Sequence, residues 1–447
     1  MKVFKFGGAS VKNAEGVKNV LSVLKTSEDK DLIVVVSAMG KMTNLLEELV
    51  VNYFSNPSEI KSTINKFYEF HLTIITELFN NNSHPIFNKL LKFNNELQLF
   101  VSHNKSNDYS FVYDQIVSFG ELISTTIISE YLSECKFKNK FLDVRSVIKT
   151  NANYREAKVN WEETQKKIIN SVSTTGVSIT QGFIASEGSH NFTTTLGREG
   201  SDYTAAIFAY CLNAISVTIW KDVPGILNAD PRHFKKTQLL SHISYREAIE
   251  LAFYCATVIH PKTLQPLQRK EIPLFVKSFY HPKNTGTCVG KGVFLNPKIA
   301  CLILKEDQVL ISLSSLDFSF MMKDTIGDVF KLLYEFQMKV NLIQNSAISF
   351  SVCVDNKFDK LDSLLKRLRE TFRVSWNEGV TLYTIRHSKN SETKELLKGK
   401  EILLRQESRE TIHAFSYSIF TFSIIIICRQ RYKSHSTINS KLGESSV

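Results

Sequence analysis

Between residues 194 and 206 the chain reads TTLGREGSDYTAA, which places a fixed cation (Arg198), a hydroxyl (Ser201) and a carboxylate (Asp202) within five residues, around two glycines and before an apolar helical run. Such a set can hold an anion and a metal ion at a helix start, where free backbone N–H groups and the helix dipole already favour negative charge. A second glycine-rich element, KVFKFGGASV, occupies residues 2–11. A strand running into Gly7-Gly8-x-Ser10 brings backbone close to phosphate oxygens, with Lys5 as a point charge. A lone Lys in an otherwise apolar strand is costly to bury unless it meets an anion. The two elements together predict phosphoryl transfer.

The elements that position these residues follow from hydrophobic periodicity. Residues 31–36 (DLIVVV) form a nearly continuous apolar run, the pattern of a buried parallel strand. It ends at Ser37, and Thr43 opens the next helix, so both fall where ligands bind in α/β folds, at the carboxyl end of a strand. Residues 59–132 read as helical and contain Phe119-Gly120-Glu121. Further strands are expected at 141–144, 178–183, 214–220 and 272–278, and helices at 203–212, 245–253 and from His260-Pro261 onward. The strand at 214–220 leads into KDVPGI at 221–226, and Asp230-Pro231-Arg232 reads as a turn.

Near residues 291–301 the character changes. Strands at 309–313, 340–343, 347–354 and 380–385 enclose helices at 325–336 and 359–372, a β-α-β-β-α-β order of ferredoxin type. No catalytic cluster falls in it, so it is expected to regulate or dimerise.

Each motif also has a plain structural explanation. Lys5-Phe6-Gly7-Gly8 alone can be a turn, Ser201 or Asp202 can cap a helix, Glu121 can be a solvated acid favoured by a helix dipole, and the 221–226 and 230–232 segments can be surface turns. A helix cap leaves Arg198 without a role, which favours a functional reading of that stretch.

At 447 residues the chain is long enough for two or three domains. Its 43% hydrophobic and 22% charged content is that of a globular protein. The formal charge of +11 suits an acidic small molecule such as a nucleotide, and no dense Lys/Arg stripe with interleaved aromatics argues for nucleic acid. Seven scattered cysteines without a CxxC point to free thiols in a reducing cytoplasm. Lys2 and Lys5 break any signal-peptide pattern. The apolar segment 414–428 is about 15 residues, short of the roughly 17–25 that span a bilayer, so it is expected to be a strand rather than an anchor. The polar end 434–447 is expected to be disordered. Neither GxxxxGK[ST] nor GxGxxG occurs, which disfavours P-loop ATPases and Rossmann dehydrogenases.

In order and spacing, KFGGAS (5–10), SAMGKMTNLL (37–46), FGE (119–121), TTLGREGSDYTAA (194–206), IWKDVPGI (219–226), DPR (230–232) and VIHPKTL (258–264) resemble the aspartate kinases of the amino-acid kinase family, over about residues 1–385. The resemblance implies a three-layer αβα kinase domain at 1–290, a ferredoxin-like (ACT) regulatory domain at 305–388, and a partial second ACT-like segment with an atypical tail at 389–447. It implies that ATP with Mg²⁺ phosphorylates the side-chain carboxylate of L-aspartate to 4-phospho-L-aspartate, the entry step to lysine, threonine and methionine. A monofunctional cytoplasmic enzyme is expected, pairing as a homodimer through its ACT units, without membrane or nucleic-acid partners.

By the same resemblance, Lys5 stabilises the transferring phosphoryl group and Asp202 organises the reacting centre and its Mg²⁺. Ser37, Thr43, Glu121, Arg198 and Ser201 form the aspartate pocket, with Glu121 on the α-ammonium and Arg198 gripping the α-carboxylate. Lys5, Gly7, Gly8, Ser10, Lys221, Asp222, Leu227, Arg232, Thr257 and Val258 are the nucleotide-site residues. Three positions depart from the pattern. Glu199 replaces a common glycine and is expected to point away from the substrate. Thr257 stands where many relatives carry a lysine, with Lys262 nearby. Leu227 replaces a tyrosine of some relatives. In the regulatory part, Asn341 stands where an Asp often holds the amine of an effector, lysine or threonine, and Ser346 lies on the same effector strand. Two alternatives stay open: a kinase of the same fold acting on glutamate, acetylglutamate or a nucleotide, and a degenerate homologue that binds nucleotide and amino acid only to regulate.

Overall fold

The first two apolar runs become adjacent parallel strands, β1 (Lys2–Phe6) and β2 (Leu32–Val36), joined by helix α1 (Ala14–Thr26). A parallel pair needs such a crossover, and Asn13 caps this one by accepting from the Gly16 N–H. All five β2 residues are buried, hence the continuous apolar run. The structure, a computed structural model, describes residues 1–417 except 28, 174, 255–258, 293–294, 317–319, 321–322, 357–358 and 389. It divides into two units, Met1–Ile299 and the chain from Ala300 onward.

In the first unit α2 (Met42–Ser55), α3 (Ile60–Leu78), α4 (Pro85–His103) and α5 (Tyr109–Glu134) follow. Helix α5 starts at Asp108, whose carboxylate accepts from the Ser110 and Phe111 N–H groups, and it is buried on most sides. The strand expected at 141–144 is β3 (Lys140–Leu142) and stops early. There Asp143 caps a short 3₁₀ turn, and the Gln181 side chain accepts from the Val144 N–H, so the backbone bonds leave the ladder. Then come β4 (Lys149–Thr150), α6 (Trp161–Ser171), β5 (Val177–Gln181), β6 (Ile184–Glu187), β7 (Thr193–Thr195), α7 (Gly200–Leu212), β8 (Val217–Lys221), β9 (His242–Ser244), α8 (Tyr245–Phe253), α9 (Pro261–Arg269), β10 (Leu274–Ser278), β11 (Thr287–Gly290) and β12 (Leu295–Asn296).

Nine of these strands form one sheet in the order β12-β9-β11-β10-β8-β1-β2-β5-β3, parallel from β10 through β3. A small sheet, β4-β6-β7, carries the chain toward α7. The large sheet is the middle of three layers. Phe4, Phe6, Val34 and Val36 pack into one core with residues of α1 to α5, and α7 packs on β1, β2 and β8 from the other side, with α9 beside it. The αβα sandwich that the resemblance implies is therefore present.

The second unit begins with β13 (Cys301–Ser315), α10 (Lys323–Glu335), β14 (Lys339–Asn345), β15 (Ser349–Asp355), α11 (Leu361–Leu368) and β16 (Phe372–Arg386), and ends with α12 (Asn390–Leu397), β17 (Ile402–Glu407) and β18 (Thr411–Tyr417). The strand order β14-β15-β13-β16-β18-β17 contains the ferredoxin-like arrangement in its first four strands. Val309, Ile311 and Leu313 pack there against Val329 and Leu333 of α10 and four leucines of α11. Strands β13 and β16 are each 15 residues, far longer than the expected 309–313 and 380–385. A register shift between Lys305 and Gln308 divides β13, and its first half pairs with the part of β16 that β18 also pairs with. The segment after residue 389 looks too short for a second unit because two of its strands are continuations of the first.

Among the described residues no helix is long and apolar enough to cross a membrane. Of the apolar segment 414–428, residues 414–417 lie in β18. The remainder and the polar end lie outside the described residues.

Candidate active site

Alternation along β1 turns Lys5 toward α7, where its ammonium meets the Asp202 carboxylate at 2.6 Å. Both side chains are buried, at 10% and 3% exposure. Asp202 lies in the first turn of α7, where the helix dipole favours its charge. Lys5 Nζ lies 3.3 Å from where a Cβ on Gly7 would stand. A Cβ on Gly8 would come within 2.8 Å of both the Ala38 and Gly40 carbonyl oxygens, so only glycine lets these two turns close on each other. The Ser10 hydroxyl is buried and donates to the Trp220 carbonyl at 3.3 Å, tying the glycine turn to the end of β8.

At the end of β2 the Ser37 N–H donates to the Phe6 carbonyl, and the Ser37 carbonyl accepts from the Ser124 hydroxyl of α5 at 2.7 Å. Thr43 is half-buried in the first turn of α2. Glu121 of α5 reaches the same place: its Oε1 accepts from the Ala38 N–H at 3.1 Å, and its Oε2 is buried without a partner among the described residues. Burial pushes the Glu121 carboxyl up to about 8, and the Ala38 N–H and the Lys5 charge only partly oppose this.

Gly182 passes Ser201 so closely that a Cβ would lie 2.4 Å from the Ser201 Cβ, which fixes the buried Ser201 beside the end of β5. Arg198 is exposed on the turn before α7 and has no hydrogen-bond or ion-pair partner among the described residues. Lys262, at the start of α9, reaches that turn, its Nζ 3.6 Å from a Cβ position on Gly197.

Glu199 corrects an expectation. Its backbone is left-handed (φ +53°), the conformation that favours glycine, and this turns the side chain inward rather than away. Burial raises the Glu199 carboxyl, the Asp202 charge raises it further, and Lys221, Lys5 and the His260 backbone N–H pull it down. Its Oε2 is buried without a partner among the described residues. The cleft thus holds two carboxylates, Asp202 and Glu199, facing two ammonium groups, Lys5 and Lys221.

Asp222 is exposed, and Leu227 forms an isolated bridge to Leu239. The exposed Arg232 is held by Asp230, with Nη2 to Oδ2 at 2.6 Å. Thr257 and Val258 lie outside the described residues.

Asp114 was not singled out in the sequence. It is buried in α5 and accepts from the Arg155 N–H, from the Thr195 N–H at 2.8 Å and from the Thr195 hydroxyl at 2.7 Å. Gln115 beside it bonds the Thr193 backbone in both directions. Helix α5 therefore sets the strand that delivers Arg198, Ser201 and Asp202. The available signal was two acids, Asp114 and Glu121, two helical turns apart in the mostly apolar first half of this helix.

Deep parallel-sheet topology, a glycine turn closing on a helix start, and a buried Lys–Asp pair between them define a phosphotransferase of the amino-acid kinase type. Residues 1–278 match the Amino acid kinase family. Lysine-sensitive aspartokinase 3 of Escherichia coli (strain K12) is 33% identical over 395 residues, 86% of each chain. Two solved structures of E. coli aspartokinase III, one in complex with lysine and aspartate and one with aspartate and ADP, each align at 30% identity and a TM-score of 0.79. They cover 93% of this chain, and 95% and 96% of their own. The chain belongs to the amino acid kinase family. Its function is that of an aspartate kinase.

Proposed function

We propose that the γ-phosphoryl group of ATP passes to the side-chain carboxylate of L-aspartate in the cleft between the end of β1 and the start of α7. A carboxylate nucleophile is already ionised at neutral pH, so the reaction needs alignment of two anions and charge neutralisation rather than a strong base. As the new carboxylate O–P bond forms and the bond to the β-phosphate oxygen breaks, charge collects on the oxygens of the travelling group. Lys5 and the backbone of Gly7, Gly8 and Ser10 face that charge. Arg198 takes the substrate α-carboxylate and Glu121 its ammonium, with Ser37, Thr43 and Ser201 lining the pocket. Lys221, Asp222, Leu227, Arg232, Thr257 and Val258 serve the nucleotide. The relative solved with aspartate and ADP supports this choice of substrates.

Mg²⁺ suits the hard oxygen donors of Asp202 and Glu199. No cluster of three metal-binding side chains occurs among the described residues, so nucleotide oxygens would complete its shell. When bound, it neutralises phosphate charge.

The second unit is assigned to amino-acid regulation and to pairing of two copies. A relative solved with lysine supports the first. Exposed Tyr334 and Phe330 on α10 and Ile343 on the edge strand β14 support the second. Asn341 is already engaged: Lys305 Nζ donates to its Oδ1 at 2.7 Å, and its amide donates to Gln308 and Asp355. Ser346 is exposed in the turn after β14.

The observation that carries the reading is the Lys5–Asp202 contact between the first strand and a helix start nearly two hundred residues further along the kinase unit. Coupled ADP-release assays with aspartate, glutamate, acetylglutamate and a nucleoside monophosphate as acceptors test it. Aspartate alone should support turnover. Absence of ADP release with aspartate would favour the degenerate homologue.

A further inference from the structure

The face of the large sheet opposite Lys5 carries a second set of residues that the reaction does not use. Parallel register arranges them in rows: Phe4, Thr218 and Phe275 lie side by side, and Phe6, Trp220 and Lys277 form the next row. The end of α1 walls one flank through Val23 and Thr26, and Lys283 stands at the rim, enclosing a cavity of about 520 Å³. That volume falls within the roughly 300–1,000 Å³ of small-molecule sites.

Its floor is aromatic. The Trp220 ring meets Phe4 edge-on at 5.5 Å and lies parallel to Phe6 at 6.2 Å. Trp220 is 4% exposed, and its Nε1 has no acceptor among the described residues. Its rim is cationic. Lys2 is neutralised by Asp29 at 2.7 Å. Lys277 and Lys283 line the same cavity and have no hydrogen-bond or ion-pair partner among the described residues. Two uncompensated ammonium groups beside a ring-lined floor select against cations and against purely polar anions, which would gain nothing from the rings.

We propose that this cavity binds a small organic anion bearing an aromatic ring, with the ring over Phe4, Trp220 and Phe275 and the carboxylate at Lys277 and Lys283. The site is separated from the phosphoryl-transfer cleft by the sheet itself, so it does not depend on the residue roles given above.

The full chain is tested with 3-phenylpropionate and its neutral analogue 3-phenylpropanamide by calorimetry and saturation-transfer NMR. The acid should bind saturably and the amide at least about tenfold more weakly, the loss expected for about one charge-assisted contact. The double variant Lys277→Glu/Lys283→Glu should lose binding of the acid while keeping aspartate kinase turnover. ATP and aspartate should not displace the probe. Equal affinity for acid and amide, unchanged affinity in the double variant, or displacement by ATP would overturn the proposal. So would no saturable binding, whether or not the double variant alters sedimentation; if it does, the face joins copies of the chain.

Discussion

Lys5 and Asp202 form a pair whose stability and catalytic effects separate. Removing one partner of a buried ion pair leaves the other uncompensated, at a cost of about 3–5 kcal/mol. Lys5→Met should therefore lower the urea midpoint, and adding Asp202→Asn should recover most of it, while turnover stays reduced by roughly a hundredfold or more in both variants. Full turnover in Lys5→Met would remove Lys5 from the reaction. Glu121 makes a pH prediction. Its carboxyl rises from 4.5 to about 8 on folding, so the folded chain keeps a proton that the unfolded chain releases. Its contribution to stability is present below pH 4.5, is lost as pH rises to about 8, and is level beyond. Glu121→Gln should remove that slope, read as urea midpoints at pH 5, 7 and 8.5. If Glu121 receives the substrate ammonium, binding must expel the proton, and the KM for aspartate should fall between pH 7 and 8.5 in the wild-type chain only.

At the scale of elements, α5 is the part on which the site's placement rests. Asp114→Ala orphans the Arg155 N–H and both Thr195 donors. It should cost roughly 3 kcal/mol or more and raise the KM for aspartate, because the strand leading to Arg198 loses its anchor. Asp114→Asn should cost less, and equal midpoints for the two variants would contradict this account. The alternation of strands and helices was legible because parallel strands buried on both faces, such as β2, leave continuous apolar runs. Lys5 was legible because it interrupts such a run, and Ser201 and Asp202 because they open an apolar helix just after two glycines. Glu199 was not: its direction depends on a left-handed residue and on the His260 N–H contributed by a distant helix start. Asp114 was hidden for a similar reason, since its partners, Arg155 in a loop and Thr195 in β7, lie far from it along the chain. The extent of β13 was masked by the polar stretch from Lys305 to Gln308, where Asp307 takes a positive φ and the register shifts.

Over the whole molecule, a kinase unit is followed by a sheet with its own core and its own polar centre. Lys305, Asn341, Gln308 and Asp355 satisfy one another there, so an effector amine, if it binds at Asn341, would have to displace the Lys305 ammonium. Lysine should inhibit weakly, and Asn341→Asp should sharpen inhibition by roughly tenfold, the gain expected from a charged acceptor. Dose–response curves with lysine, threonine and methionine read this directly, and an unchanged curve would place the effector elsewhere. The two long strands that both halves of this sheet share have a further consequence. A stop codon after residue 388 would strip β18 from Val380–Arg386, baring a flat row of unsatisfied amides and carbonyls along a mostly apolar strand. Such a fragment should stick to itself and precipitate, so shortening the protein to its recognisable regulatory module would yield an aggregate rather than a minimal enzyme.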